Sequence, residues 1–128
     1  MKKRFRDFKI RDIWDIPKKF HYAWEGLVAV IKYELSFRIE LAVAAVVVAA
    51  GFFTGFGRLE WIVTVLGIAA IFTAEFMNTA VEKLADHLHP EEHPEVKAIK
   101  DISAAGVMIA NIAAIIIALL LFIPRIFR

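Results

Sequence analysis

The sequence predicts an all-α membrane protein, with an N-terminal amphipathic surface helix followed by three transmembrane helices. Three observations lead there. Hydrophobic residues make up 59% of the 128 positions, against about 45–50% in an ordinary soluble domain, and a water-facing globule of this size cannot bury that much apolar surface. The charges are gathered into blocks, leaving residues 41–57, 61–74 and 102–124 without any Asp, Glu, Lys or Arg. The mean hydropathy is +0.61 although 23% of the residues are charged, so the apolar runs are concentrated rather than diluted.

The chain reads as one domain with a tail at 1–14, a surface helix at 15–35 and spans at about 36–57, 61–82 and 101–124. The tail is basic, with Lys2, Lys3, Arg4, Arg6, Lys9 and Arg11. No apolar segment or small-residue cleavage site follows it directly, so a cleaved signal peptide is not expected. Asp15 before Pro17 is a helix-start pair, a capping side chain and then a proline in the first turn. Phe20, Trp24, Leu27 and Ile31 then recur every three or four residues, while Lys18, Lys19 and Glu25 fall elsewhere on the wheel. That pattern suits a helix lying in the membrane interface with its aromatic rings at headgroup depth.

The first uncharged run, 41–57, reaches roughly 25 Å as a helix and needs its flanks to cross a hydrocarbon core of about 30 Å. Gly51 and Gly55, four apart, read as a small-residue seam for helix approach. Arg58 and Glu60 mark a short turn. The second span carries a carboxylate, Glu75, and the third, 102–124, is the most apolar of the three. Asn111 within it is expected to hydrogen-bond to another helix. With the N-terminus inside, the inner segments hold 13 Lys and Arg and the outer ones 3, which predicts a cytoplasmic N-terminus and a multi-pass topology.

These same counts weigh against nucleic acid as a partner. The net charge is only +2, and its basic residues flank membrane segments instead of forming one exposed stripe. The absence of cysteine excludes disulfides, thiolate zinc sites and a cysteine nucleophile. The six glycines stand at 26, 51, 55, 57, 67 and 106, a spacing that forms neither a P-loop nor a GxGxxG turn. Any nucleotide site must be built from side chains on helices.

Chemistry is concentrated on the second span and its inner extension. At 100° per residue, Glu75, Asn78, Glu82 and Asp86 fall within an arc of about 80° on one helix face. Ionisable groups at membrane depth are costly and face a bundle interior or a cavity, which makes such a face a functional-site candidate. Glu34, Arg38 and Glu40 precede the first span, and Lys97, Lys100 and Asp101 open the third. As isolated pairs these read as solvated charges. Together they set carboxylates and a lysine at one membrane surface, a donor set that suits magnesium and the phosphates it accompanies. His89 and His93 have the spacing of a helical metal pair, but Pro90 and Pro94 favour a solvated loop there.

Tyr22-Ala23-Trp24-Glu25-Gly26-Leu27, Glu34-Leu35-Ser36-Phe37-Arg38-Ile39-Glu40, Glu75-Phe76-Met77-Asn78-Thr79-Ala80-Val81-Glu82 and Lys100-Asp101 occur in this order. Together they resemble the prokaryotic diacylglycerol kinase family, which includes the undecaprenol kinases. The resemblance covers about residues 18–124. It implies a bacterial inner-membrane enzyme, active as a homotrimer, that moves the γ-phosphate of magnesium-ATP to a lipid hydroxyl at the cytoplasmic interface. Carried over by motif, Glu75 is the general base and Asn78 shapes its site, while Glu34 and Glu82 bind the divalent cation and with it the nucleotide. Lys100 and Asp101 hold the nucleotide, and Tyr22, Glu91 and His93 are further candidates. Diacylglycerol and undecaprenol both remain open as acceptor. The alternative from the residues alone is a small channel or proton-coupled transporter subunit, with Glu75 and Asn78 lining its path.

Overall fold

In a computed structural model, residues 13–128 are described and form four helices: α1 (Ile16–Tyr33), α2 (Leu35–Thr54), α3 (Arg58–Leu88) and α4 (Pro94–Ile126). The basic residues of the tail up to position 11 lie outside the described residues. Among the described residues there are no strands. The chain divides into two compact units, Met1–Glu34 and Leu35–Arg128.

In the first unit, α1 begins after Asp15 with Pro17 in its first turn, as the sequence predicts. The expected side-chain cap is absent, because Asp15 Oδ1 instead accepts from Lys18 Nζ at 3.1 Å. Phe20, Tyr22 and Trp24 are all exposed on this helix. It ends where Glu34 turns to extended backbone and donates its N–H to the Val30 carbonyl at 2.9 Å. Glu34 is the single non-helical residue before α2 begins at Leu35.

In the second unit, α2, α3 and α4 are each long and apolar enough to cross a membrane. The protein is an all-helical membrane protein. Most packing is between α3 and α4, an antiparallel hairpin, and α2 lies against α3. Phe37 of α2 is almost fully buried and stands edge-on to both Phe72 and Phe76 of α3, at 4.9 and 5.1 Å between ring centroids. Edge-to-face aromatic contacts of this kind add to the energy of area burial alone.

α2 closes with a left-handed turn. Gly55 has φ +72°, a conformation costly for any residue bearing a Cβ, and the Phe56 N–H reaches back to the Gly51 carbonyl at 2.9 Å. This is the six-to-one bond of a Schellman motif. It corrects the reading of Gly51 and Gly55 as a seam between helices. Gly51 is buried under Phe56 and Trp61, and Gly55 supplies the turn. The next helix starts at once: Glu60 Oε2 accepts from the Gly57 N–H at 2.7 Å, the half of a capping box that a glycine allows.

α3 and α4, with 31 and 33 residues, run to about 46 and 50 Å. A hydrocarbon core of about 30 Å takes up some 20 residues of each. Each is longer than that crossing needs, and the turns around the loop between Leu88 and Pro94 carry charged residues. His89 closes α3 and His93 begins α4, its Nδ1 accepting from the Glu95 N–H at 3.3 Å, with Pro94 in the first turn. The expected break at Pro90 and Pro94 is present as this loop.

Candidate active site

The α3 face predicted from the sequence is continuous, since the helix runs unbroken through Glu75, Asn78, Glu82 and Asp86. Burial falls along it in steps. Glu75 is 6% exposed, as is Thr79 one turn further on; Asn78 and Glu82 are half-buried, and Asp86 is exposed. Phe72 and Phe76, which clasp Phe37, flank Glu75 in sequence. The deepest carboxylate therefore lies beside the tightest part of the α2–α3 packing.

Asn78 Nδ2 donates to Glu82 Oε1 across one turn at 3.4 Å, a long bond, while Asn78 Oδ1 is buried with no hydrogen-bond partner. An orphaned buried carbonyl is costly, and this one keeps its capacity to accept a hydrogen bond. Glu82 sits seven residues from Glu75, roughly 10 Å along the axis. The two carboxylates are therefore separated by about two turns of one helix.

At the extended end of the hairpin a polar pocket of about 580 Å³ opens between the last turns of α3, the loop and the first turns of α4. Glu91, His93, Lys100 and Asp101 all line it, so the structure gathers four of the sequence candidates. Asp86 and Lys97 join them. Lys100 Nζ donates to Asp86 Oδ1 at 2.7 Å across the hairpin, and Lys97 Nζ to Asp101 Oδ2 at 2.5 Å along α4. The lining includes the carboxylates of Asp86, Glu91, Glu92 and Asp101 against two lysines. A polyphosphate entering so acidic a pocket needs a cation with it. Tyr22 and Glu34 belong to the first unit, Tyr22 exposed with His21 beside it at 6.2 Å between rings, and Glu34 at the C-cap of α1.

Glu82 offers hard carboxylate oxygens of the kind magnesium takes, commonly through one or two carboxylates plus substrate phosphates, and Glu34, in the other unit, is a carboxylate of the same kind. Among the described residues, no group of three or more His, Asp or Glu is gathered to hold a metal ion unaided. His89 and His93 have ring centroids 6.0 Å apart in the loop, without a third ligand.

Two polar pairs that touch these surfaces were not foreseen as pairs. Asn111 does bond to another helix, as expected, and its partner is Glu40: Nδ2 donates to Oε1 at 3.1 Å while Glu40 Oε2 is buried without a partner. Both line a mainly apolar groove of about 360 Å³ along α2, α3 and α4, walled by residues such as Val43, Ile68, Phe72 and Ala114. The Asp86–Lys100 pair also escaped prediction, because its members are 14 residues apart across a proline-containing loop that no helical periodicity bridges.

Residues 21–122 match the prokaryotic diacylglycerol kinase family. An undecaprenol kinase of Bacillus subtilis is 33% identical over 108 residues, covering 84% of this chain and 88% of that protein. A diacylglycerol kinase of Haemophilus influenzae is 31% identical over 103 residues, covering 80% and 87%. One from Escherichia coli K12 is 28% identical over 101 residues, covering 79% and 83%.

Proposed function

The chain belongs to the prokaryotic diacylglycerol kinase family and is a membrane lipid kinase, and from that premise we propose the following reaction and the residues that perform it. The acceptor is a lipid with a primary hydroxyl, diacylglycerol or undecaprenol. The phosphate donor is magnesium-ATP, entering at the polar pocket of the α3–α4 hairpin. The observation that carries this reading is that buried Glu75 and the lysine-bearing pocket share one helix pair. A channel or transporter subunit would use Glu75 and Asn78 but leave that pocket without a role.

In this mechanism Glu75 accepts the proton of the lipid hydroxyl as its oxygen attacks the γ-phosphorus. The bond from that phosphorus to the β–γ bridging oxygen breaks, and ADP departs with the bridging oxygen. Phosphoryl transfer depends mainly on positioning and charge neutralisation, so little covalent chemistry is asked of the protein. Asn78 keeps a free carbonyl at the site and bonds to Glu82. Lys100 donates to phosphate oxygens, and Asp101, with Glu91 and His93, accepts from the nucleoside part; Tyr22 is assigned to the nucleotide on its motif alone. Glu34 and Glu82 would hold the magnesium ion, Glu34 being assigned on its motif alone. The chemistry the ion would supply there is neutralisation of phosphate charge.

We assign the extended end of the hairpin to the cytoplasmic face of the bacterial inner membrane, following the lysine and arginine distribution. The working form is a homotrimer. The trimer is carried over from the family resemblance, and the thin unit of three spans leaves room for helices of neighbouring copies to shield the carboxylates.

The test is transfer of labelled γ-phosphate by the purified protein in lipid micelles, with diacylglycerol and undecaprenol offered in parallel. One lipid is expected to be labelled, only with magnesium present, and chelation abolishes the transfer. Labelling of neither by folded, oligomeric protein overturns the proposed acceptors.

A further inference from the structure

We propose that Asp86 is a positioning residue for the kinase reaction: it holds the Lys100 ammonium at the mouth of the polar pocket, ready for the phosphates of ATP. The inference rests on the nucleotide site proposed above and adds a residue to it. Four facts carry it. Asp86 Oδ1 and Lys100 Nζ lie 2.7 Å apart. They come from opposite arms of the hairpin, at α3 and α4, and both line the pocket. Lys100 is only 34% exposed at its side chain although it stands near the start of α4. The other lysine of the pocket, Lys97, is tied to Asp101 on its own helix and so is not fixed across the opening.

A lysine side chain is a point charge on a flexible four-carbon stem, and it pays for every fixed contact in lost rotamers. An ammonium group has three N–H donors and no acceptor. The bond to Asp86 occupies one of them and leaves two for phosphate oxygens. Asp86 can therefore stay in place while ATP binds, acting as the anchor that selects the lysine conformation before the nucleotide arrives. Preordering of this kind strengthens binding by removing an ordering cost, without any new contact to the ligand.

A competing effect has the opposite sign. Asp86 is itself an anion in a pocket already rich in carboxylates, and its charge repels phosphate. If repulsion outweighed anchoring, removing the charge would tighten nucleotide binding. The direction of the change in KM for ATP therefore decides between the two.

The experiment compares wild type, Asp86→Asn and Asp86→Glu in the micellar kinase assay, with magnesium-ATP and lipid varied separately and the thermal midpoint recorded. For Asp86→Asn, KM for ATP is expected to rise about fivefold, with kcat and the KM for lipid within about twofold of wild type. Asp86→Glu, which keeps the carboxylate, recovers most of that loss. An unchanged or lowered KM for ATP in Asp86→Asn overturns the proposal. So does a loss confined to kcat and thermal midpoint, which would make the pair only a staple of the hairpin. Asp86 is 64% exposed at its side chain, so folding is expected to survive. Should Asp86→Asn not fold, Asp86→Ser is read by the same criteria. Failure of the underlying kinase site looks different, because wild type itself would then transfer no phosphate.

Discussion

Arg125 Nη2 donates to both carboxylate oxygens of Glu60, at 2.6 and 2.5 Å, which ties the last turn of α4 to the first turn of α3. The same guanidinium gives Nη1 to the Leu121 carbonyl at 2.6 Å and lies 4.9 Å from the centre of the Phe56 ring. Phe56 in turn packs on Trp61 and Phe122. One arginine thus joins the turn after α2 and both arms of the hairpin. Arg125→Leu is expected to lower the thermal midpoint in micelles more than Arg128→Leu. Equal effects of the two substitutions would show that the junction contributes nothing.

Glu75→Gln keeps the size of the buried side chain and removes its ability to accept a proton. A positioned general base contributes roughly 10²–10⁴ in rate, so kcat is expected to fall by that order while oligomer size and helix content persist. Labelled phosphate transfer and size exclusion in detergent check both halves. Transfer at the wild-type rate would remove Glu75 from the mechanism.

Gly51 has no room for a methyl group. A Cβ there would stand 2.8 Å from Phe56 Cδ2 and 3.0 Å from Trp61 Cη2. Overpacking of this kind costs about 1–3 kcal/mol, so Gly51→Ala is expected to lower the thermal midpoint clearly. Gly26→Ala, whose added methyl meets nothing within 4 Å, is the control and should be neutral or slightly stabilising.

The Glu40–Asn111 bond should behave as a coupled pair. Asn111→Leu strips Glu40 of the partner seen in the structure, and interhelical polar contacts in membranes are worth about 1 kcal/mol. Glu40→Leu combined with Asn111→Leu is expected to destabilise less than the sum of the single changes. Strict additivity in a double-mutant cycle would show that the bond is unimportant to the fold.

Much of this was legible in the sequence because the signals are local. Uncharged runs announce three spans, Asp15 and Pro17 announce α1, and a rotation of 100° per residue puts Glu75, Asn78, Glu82 and Asp86 on one face. Lys100 and Asp101, named by their motif, and the further candidates Glu91 and His93 line a single pocket. What escaped depends on contacts distant in the chain. Glu60 and Arg125 are 65 residues apart and Glu40 and Asn111 are 71 apart, separations at which no periodicity applies. The misreading of Gly51 and Gly55 had another cause. A four-residue glycine spacing serves either a helix seam or a helix ending, and only the position of Phe56 decides between them.

The length of α3 has a consequence for the membrane itself. Glu60 is latched to Arg125 at one end, and Glu75 lies about 22 Å further along a rigid rod. The helix therefore works as a depth gauge. In a thinner bilayer Glu75 rides toward the headgroups opposite the Glu60 end, and in a thicker one it sinks beneath them. With Glu75 as the base proposed above, the ease with which a lipid hydroxyl meets that carboxylate would be a function of acyl-chain length in the surrounding bilayer, quite apart from which lipid is the acceptor.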